Sequence, residues 1–99
     1  METVNDVIKD LKSKTFYIVD TAKNRKTRFR LGITVEDQKN LIKSLTAAHY
    51  ISGPESDHNG TSGNIWKFKK SEFGEVFYIK IKYIDPITVI SCHIDNIDT

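Results

Sequence analysis

Two-residue alternation in the C-terminal half of the chain separates apolar side chains from side chains that can do acid–base chemistry. Neighbouring residues of a β-strand point to opposite faces, so residues i, i+2 and i+4 share a face. The apolar set, expected in the core, is Trp66, Phe68, Phe77, Ile79, Ile81, Tyr83, Ile90, Cys92 and Ile94. The opposite faces hold a histidine, a phenol and four amines: Lys67, Lys69, Tyr78, Lys80, Lys82 and His93. In the last strand, Ile87 and Val89 fall in the outer register and conflict with this assignment.

The polar set is suited to cleaving RNA without a metal, because the RNA's own 2′-hydroxyl can be the nucleophile. Such a reaction needs a base, an acid and cations around the phosphorane. His93 is the candidate proton donor, since an unperturbed imidazole titrates near pH ~6.5. Tyr78 or Lys80 would help deprotonate the nucleophile, and Lys67 would stabilise the phosphorane. The alternative is a solvent-facing sheet with ordinary surface lysines, since antiparallel sheets often expose one face.

The stretch GPESDHNGTSGNIWKF, residues 53–68, has the composition of a ligand-binding loop. Counted from Glu55, it resembles the first half of an EF-hand, but the closing glutamate is replaced by Trp66. It also lacks the Gly-Lys-Ser/Thr ending of a phosphate-binding loop, and the three histidines do not have zinc-ligand spacing. We therefore expect no metal and a flexible connection, with His58 either at the rim of the basic face or simply exposed.

Helices and strands alternate along the chain in the manner of an α+β domain. Val4, Val7, Ile8 and Leu11 form the apolar stripe of a helix that begins near Thr3. A second helix is predicted from Thr34, which is followed by early acids. Strands are predicted at Phe16–Val19, at Thr27–Leu31 after a turn over residues 23–25, and in a meander over residues 65–69, 75–84 and 87–94. We expect an antiparallel sheet with two or three helices on one face.

Composition indicates one small domain spanning residues 1–99, without disulfides. The net charge is only +2, but Lys23, Arg25, Lys26, Arg28 and Arg30 fall within eight residues that contain no acid. Such a cluster attracts phosphates or forms an ordinary solvated surface. The only cysteine is Cys92, no apolar run is long enough to span a membrane, and the N-terminus is not a signal peptide, so we expect a cytoplasmic protein.

Four ordered motifs resemble the MqsR (motility quorum-sensing regulator) family of bacterial type II toxins, which have the RelE-like fold. They are LGIT, GPESDHNGTSGNIW, YIKIK and SCH, between Leu31 and His93. The resemblance implies a metal-independent endoribonuclease, or mRNA interferase, that cuts mRNA, inhibits translation and is neutralised by a cognate antitoxin. It implies no cofactor.

Residue by residue, the resemblance selects much of the same face. Tyr78 and Lys80 match the family's strand motif, and His93 falls where members carry a basic residue. Lys67 stands at a position that can be glutamine, and Tyr50 matches an aromatic residue after the second helix. The chain departs from the pattern at two positions, with Ile51 in place of a lysine and Cys92 in place of a phenylalanine.

The predicted site therefore has a catalytic set and an RNA-binding set. The catalytic residues are His93, Tyr78, Lys80 and Lys67, and the RNA-binding residues are Lys69, Lys82, His58, Tyr50, Arg28 and Arg30. The partners expected are mRNA and an antitoxin protein, with no metal. Two alternatives stay open, namely a non-catalytic module that binds RNA or a protein, and a structural protein with a polar sheet face.

Overall fold

Two capped helices begin where the sequence predicts them. The computed structural model describes residues 2–57, 62–95 and 97. Helix α1 spans Val4–Ser13 and helix α3 spans Val35–Lys43. At each start a threonine and the aspartate three residues later, Thr3 with Asp6 and Thr34 with Asp37, exchange side-chain-to-backbone hydrogen bonds. These capping boxes satisfy amides that have no partner within the helix.

Five strands form one mixed sheet in the order β1-β5-β4-β3-β2. The strands are β1 (Phe16–Ile18), β2 (Tyr50–Ser56), β3 (Asn64–Glu72), β4 (Glu75–Tyr83) and β5 (Ile87–Ile94). Strands β2 to β5 pair antiparallel, while the three-residue β1 runs parallel to β5. A short 3-10 helix, Ala47–His49, leads into β2. The α+β class is confirmed, whereas part of the expected loop, residues 53–56, belongs to edge strand β2.

The core lies between one face of the sheet and the helices α1 and α3. The helices contribute Val7, Leu11, Leu41 and Ile42, all at most 2% exposed. From the sheet, the buried apolar side chains are Phe16, Trp66, Phe68, Phe77, Ile79, Ile81, Ile87, Val89, Cys92 and Ile94. Removing this apolar area from water supplies the main driving force for folding. The predicted core face of β3 and β4 is therefore confirmed.

A β-bulge in β5 resolves the conflict in the predicted register of that strand. Lys80 pairs with Ser91 and Ile81 pairs with Val89, which leaves Ile90 without a partner on β4. The extra residue lets the side chains on both sides of the bulge point inward. Placing Ile90 in the core was consequently wrong, since it lies half-buried on the outer face, and Val89 is in the core instead.

The segment predicted as a turn and a strand over residues 23–31 is in fact helix α2, Ala22–Leu31. Its buried side chains are polar, namely Asn24 and Thr27, because they bind the edge of β5. Asn24 accepts a hydrogen bond from the Cys92 amide (2.9 Å) and donates to the Ile90 carbonyl (3.2 Å). Thr27 accepts from the Ile94 amide at 3.2 Å. The side chains of α2 thus satisfy backbone groups of β5 along the part of its edge that β1 is too short to cover.

A buried glutamine joins α3 to the same edge. Gln38 on α3 is 0% exposed and donates to the Cys92 carbonyl at 2.9 Å. Its side-chain oxygen accepts a hydrogen bond from Arg28, also at 2.9 Å. Buried polar groups are tolerated when each has a partner, and here they connect two helices to one strand.

A hydrogen bond between Tyr83 of β4 and Asp10 of α1 makes the free energy of unfolding depend on pH in the alkaline range. Burial, reinforced by this bond, raises the pKa of Tyr83 to about 12, while the bond lowers the pKa of Asp10 from its ordinary value. Because the folded phenol holds its proton more tightly than the unfolded one, this stabilisation is present below pH ~10 and is lost as pH rises towards about 12. We expect Tyr83→Phe to lose stability less steeply than the wild type over this window, as measured by urea denaturation. Equal slopes would contradict the coupling.

Candidate active site

One cleft on the outer face of the sheet contains all four predicted catalytic residues. The cleft has a volume of about 410 Å³ and is bordered by Thr21, Ala22, Lys23, Ile51, Lys67, Phe68, Tyr78, Ile79, Lys80, Ile90, Ser91 and His93. This size lies within the range of about 300–1,000 Å³ typical of ligand pockets. The predicted common face of Lys67, Lys80 and His93 is therefore confirmed, while their chemical roles remain predictions.

Strand register brings these side chains together in two rows. Tyr78 of β4 stands directly opposite His93 of β5, and Lys80 stands between Lys67 of β3 and Ser91 of β5. Side chains directly opposite each other have Cβ atoms about 4.5–5.5 Å apart, and like charges in such positions repel. The two facing lysines therefore favour the arrival of an anion, beside an imidazole and a phenol.

The imidazole of His93 is oriented by its own strand. Its Nδ1 lies 3.1 Å from the Ile94 carbonyl oxygen. A carbonyl only accepts hydrogen bonds, so Nδ1 must carry the proton in this arrangement. The other nitrogen, Nε2, can then accept a proton when the ring is neutral and donate one when the ring is charged. This is the property that a general acid or base requires.

Strand β2 and the residue that follows it add carboxylates to a face that was expected to have none. Glu55 lies 3.5 Å from Lys67, and Asp57 lies 2.9 Å from Lys82. Their presence corrects the sequence interpretation, which treated residues 53–64 as a loop, whereas residues 53–56 belong to a paired strand. Lys80 has no ion-pair partner within residues 2–57, 62–95 and 97, which makes it the more available of the two facing lysines.

Metal ligation is not favoured by the donors on this face. Across the described residues, His, Cys, Asp and Glu side chains do not form any group of three or more that could hold a metal ion. Cys92 is fully buried on the opposite face from His93, and burial raises the pKa of its thiol to about 12. A thiolate nucleophile or metal ligand at this position is therefore disfavoured.

The first turn of α2 forms one wall of the cleft, through Thr21, Ala22 and Lys23. Helix N-termini carry a partial positive charge and free amides. The turn contains no acidic residue, so its field adds to that of the nearby lysines. Sequence reasoning missed this wall because it placed a turn over residues 23–25 and no helix there, although Thr21 followed by a helix-length segment was a possible cap signal.

The predicted RNA-binding residues separate into those near the cleft and those elsewhere. Lys69 sits over the Tyr78 ring, with Nζ 5.5 Å from the ring centre, and Lys82 is the partner of Asp57. Tyr50 instead places its ring 6.0 Å from that of Trp66, on the core side, and donates to the Gly53 carbonyl. His58 lies outside the described residues.

Neither of the predicted arginines borders the cleft, because they lie in the second half of α2 and only its first turn reaches the cleft. Arg28 is bound to Asp20 (2.9 Å) and Gln38 and has a structural role. Arg30 is exposed further along the same helix. Two residues that sequence reasoning did not assign to the site, Ile51 and Ile90, provide its apolar surface.

Comparison of the chain with protein-family models, with curated proteins and with solved structures found no match. Within the described part of the chain, every helix is too short or too polar to cross a membrane.

Proposed function

We propose that this protein is a metal-independent endoribonuclease that uses the outer-face cleft as its active site. The observation that carries the proposal is the cross-strand pair of Tyr78 and His93 beside the facing lysines Lys67 and Lys80, all in one cleft. An acid–base group, a phenol and two lysine side chains, of which Lys67 is paired with Glu55, match the needs of phosphodiester cleavage by an internal nucleophile.

In the proposed reaction the 2′-oxygen of the RNA forms a bond to the adjacent phosphorus, and the bond from phosphorus to the 5′-oxygen breaks. The 2′-hydroxyl proton passes to Lys80 or Tyr78 in its deprotonated form. His93, protonated on Nε2, donates a proton to the departing 5′-oxygen. Lys67 and the N-terminus of α2 stabilise the extra negative charge of the phosphorane. The products are a 2′,3′-cyclic phosphate and a 5′-hydroxyl.

We further propose that the biological role is that of a cytoplasmic toxin of a type II toxin–antitoxin system, cutting mRNA and held inactive by an antitoxin. The support is the resemblance of LGIT, YIKIK and SCH to the MqsR family, together with the agreement between that resemblance and the cleft residues. Ile51 borders the cleft where the family pattern has a lysine, so phosphate binding depends more heavily on the remaining cations.

The test is cleavage of a single-stranded RNA by the purified protein in EDTA buffer. We expect cleavage that EDTA does not reduce and that ends when the nucleotide 5′ to the cut carries a 2′-deoxy sugar, because the nucleophile has been removed. Products are identified by mass spectrometry, which distinguishes a cyclic phosphate from a simple monoester. Binding without cleavage would favour the non-catalytic RNA-binding module, and cleavage of the deoxy substrate would refute the mechanism.

A further inference from the structure

A second basic surface continues from the cleft along the exposed side of α2. We call it the α2 ridge and define it as Arg25, Lys26, Phe29 and Arg30. These residues border a pocket of about 490 Å³ together with the buried Ile97. The helix rises about 1.5 Å per residue, so the ridge begins within a turn of Ala22 and Lys23 at the cleft wall. The two surfaces are therefore continuous.

Phe29 is the most unusual side chain of the ridge. It is 92% exposed, far more than the next large apolar side chain, Ile51 at 51%. Leaving an aromatic ring in water forgoes the favourable burial of its apolar surface. The ring projects from a helix whose opposite side is held by Asn24 and Thr27, so the fold does not require an aromatic side chain at this position.

The charge of the ridge is also poorly compensated. Helix α2 contains no acidic residue. Arg25 pairs with Asp20 at 3.3 Å, but Lys23, Lys26 and Arg30 have no ion-pair partner among the residues that the structure describes. Lys26 and Arg30 are four residues apart on a helix, where like charges repel. A bound anion along this side would relieve that repulsion.

We propose that the α2 ridge binds the single-stranded RNA that extends from the cleft, with a base stacked on Phe29 and phosphates bound by Lys26 and Arg30. This inference rests on the proposed ribonuclease function and extends its substrate to strands longer than the cleft itself holds. Cations interleaved with an exposed aromatic ring are the arrangement used to bind single strands without sequence preference. A stable protein interface buries about 800 Å² per partner, more than a single ring and three cations offer, so this surface fits RNA better.

The experiment compares two RNAs that the protein cannot cut because every 2′-hydroxyl is methylated. One is a dinucleotide, which fills only the cleft, and the other is an oligonucleotide of about ten residues. We expect Phe29→Ala to weaken binding of the longer RNA about 5- to 10-fold in fluorescence anisotropy, with the dinucleotide unchanged. Phe29→Tyr should restore stacking and affinity. Since Phe29 is exposed, these changes leave the fold intact.

The salt dependence of binding provides a second measurement. Lys26→Ala and Arg30→Ala should each reduce the slope of log affinity against log salt concentration by about 0.7, as expected for one lost phosphate contact on a single strand. Lys9→Ala is the matched control, because Lys9 is an exposed lysine on α1 and should leave the slope unchanged.

Three results would contradict the proposal that the α2 ridge binds RNA. They are equal affinity of the wild type for both RNAs, an equal effect of Phe29→Ala on both, and weakened binding of an acidic protein partner by Phe29→Ala with RNA affinity intact. Cleavage of natural RNA by the wild type is scored separately. Cleavage accompanied by any of these three results would refute the ridge alone, whereas ridge-dependent binding without cleavage would refute only the proposed reaction.

Discussion

Replacing His93 with alanine is expected to lower the rate of RNA cleavage by about 10²- to 10⁴-fold, the usual cost of removing a general acid. The imidazole lies on the outer face and contacts the Ile94 carbonyl, so its loss should not disturb the core. The measurement is single-turnover cleavage in EDTA buffer with saturating protein, which separates the chemical step from binding. Circular dichroism checks that the variant is folded.

His49→Ala is the matched control for this experiment. His49 lies on the 3-10 helix before β2, and its Nδ1 accepts a hydrogen bond from the Thr46 amide at 2.9 Å. It does not border the cleft, so its removal should affect stability slightly and the cleavage rate not at all. If His93→Ala retains the wild-type rate, or if both variants lose activity equally, His93 is not the acid.

Replacing Asn24 with alanine is expected to destabilise the fold by about 3 kcal/mol. The Cys92 amide and the Ile90 carbonyl would lose the partner that Asn24 provides, and the Val19 carbonyl would keep only the Thr21 amide. Leaving a buried polar group unsatisfied costs about 1–3 kcal/mol. In a domain of this size that loss corresponds to a decrease in melting temperature of more than about 10 °C. Calorimetry or urea denaturation measures it.

The matched control is Asn40→Ala, at an exposed position of α3. Alanine is the better helix former at such a site, so this variant should be unchanged or slightly more stable. Asn24→Asp adds a sharper comparison. The carboxylate still accepts from the Cys92 amide but faces two carbonyl oxygens without a donor, so we expect it to be at least as destabilising as alanine. A near-neutral effect of Asn24→Ala would contradict the structural role given to α2.

The parts of this fold that follow from burial could be predicted from the sequence. The alternation along β3 and β4 predicted which side chains enter the core, and it placed Lys67, Tyr78 and Lys80 on the other face. Such alternation is informative because one face of the sheet is buried. A register shift of one residue would move every side chain to the opposite face of the sheet. Helices α1 and α3 were equally readable, since each has an apolar stripe and a capping threonine.

Helix α2 could not be predicted by the same reasoning. It contacts the sheet through hydrogen bonds from Asn24 and Thr27 rather than through an apolar stripe, so periodicity carries no signal of its buried side. The alternation of Arg28, Phe29 and Arg30 imitated a strand. The local sequence does not reveal that a side chain such as Thr27 will bind the edge of a distant strand. Its partner there, Ile94, is 67 residues further along the chain.

Two features of the site depend on pairing that only the folded chain reveals. The bulge at Ile90 moves an isoleucine out of the core and into the cleft, and no local residue signals an extra residue at that point. Likewise, Glu55 and Asp57 reach Lys67 and Lys82 only because residues 50–56 pair with β3. Sequence alone therefore placed the candidate catalytic side chains on one face but did not reveal the carboxylates beside them.

The polar contacts of α2 with β5 also have a consequence for how copies of this chain behave towards one another. An uncovered strand edge presents unpaired amides and carbonyls on which a neighbouring chain can assemble. Here the part of β5 beyond β1 is occupied by Asn24, Thr27 and Gln38. The opposite edge, β2, is interrupted by register irregularities and by Pro54. The same side chains that hold the helix in place thus act as a barrier to aggregation, and loosening α2 would expose a template for polymerisation before the core itself unfolds.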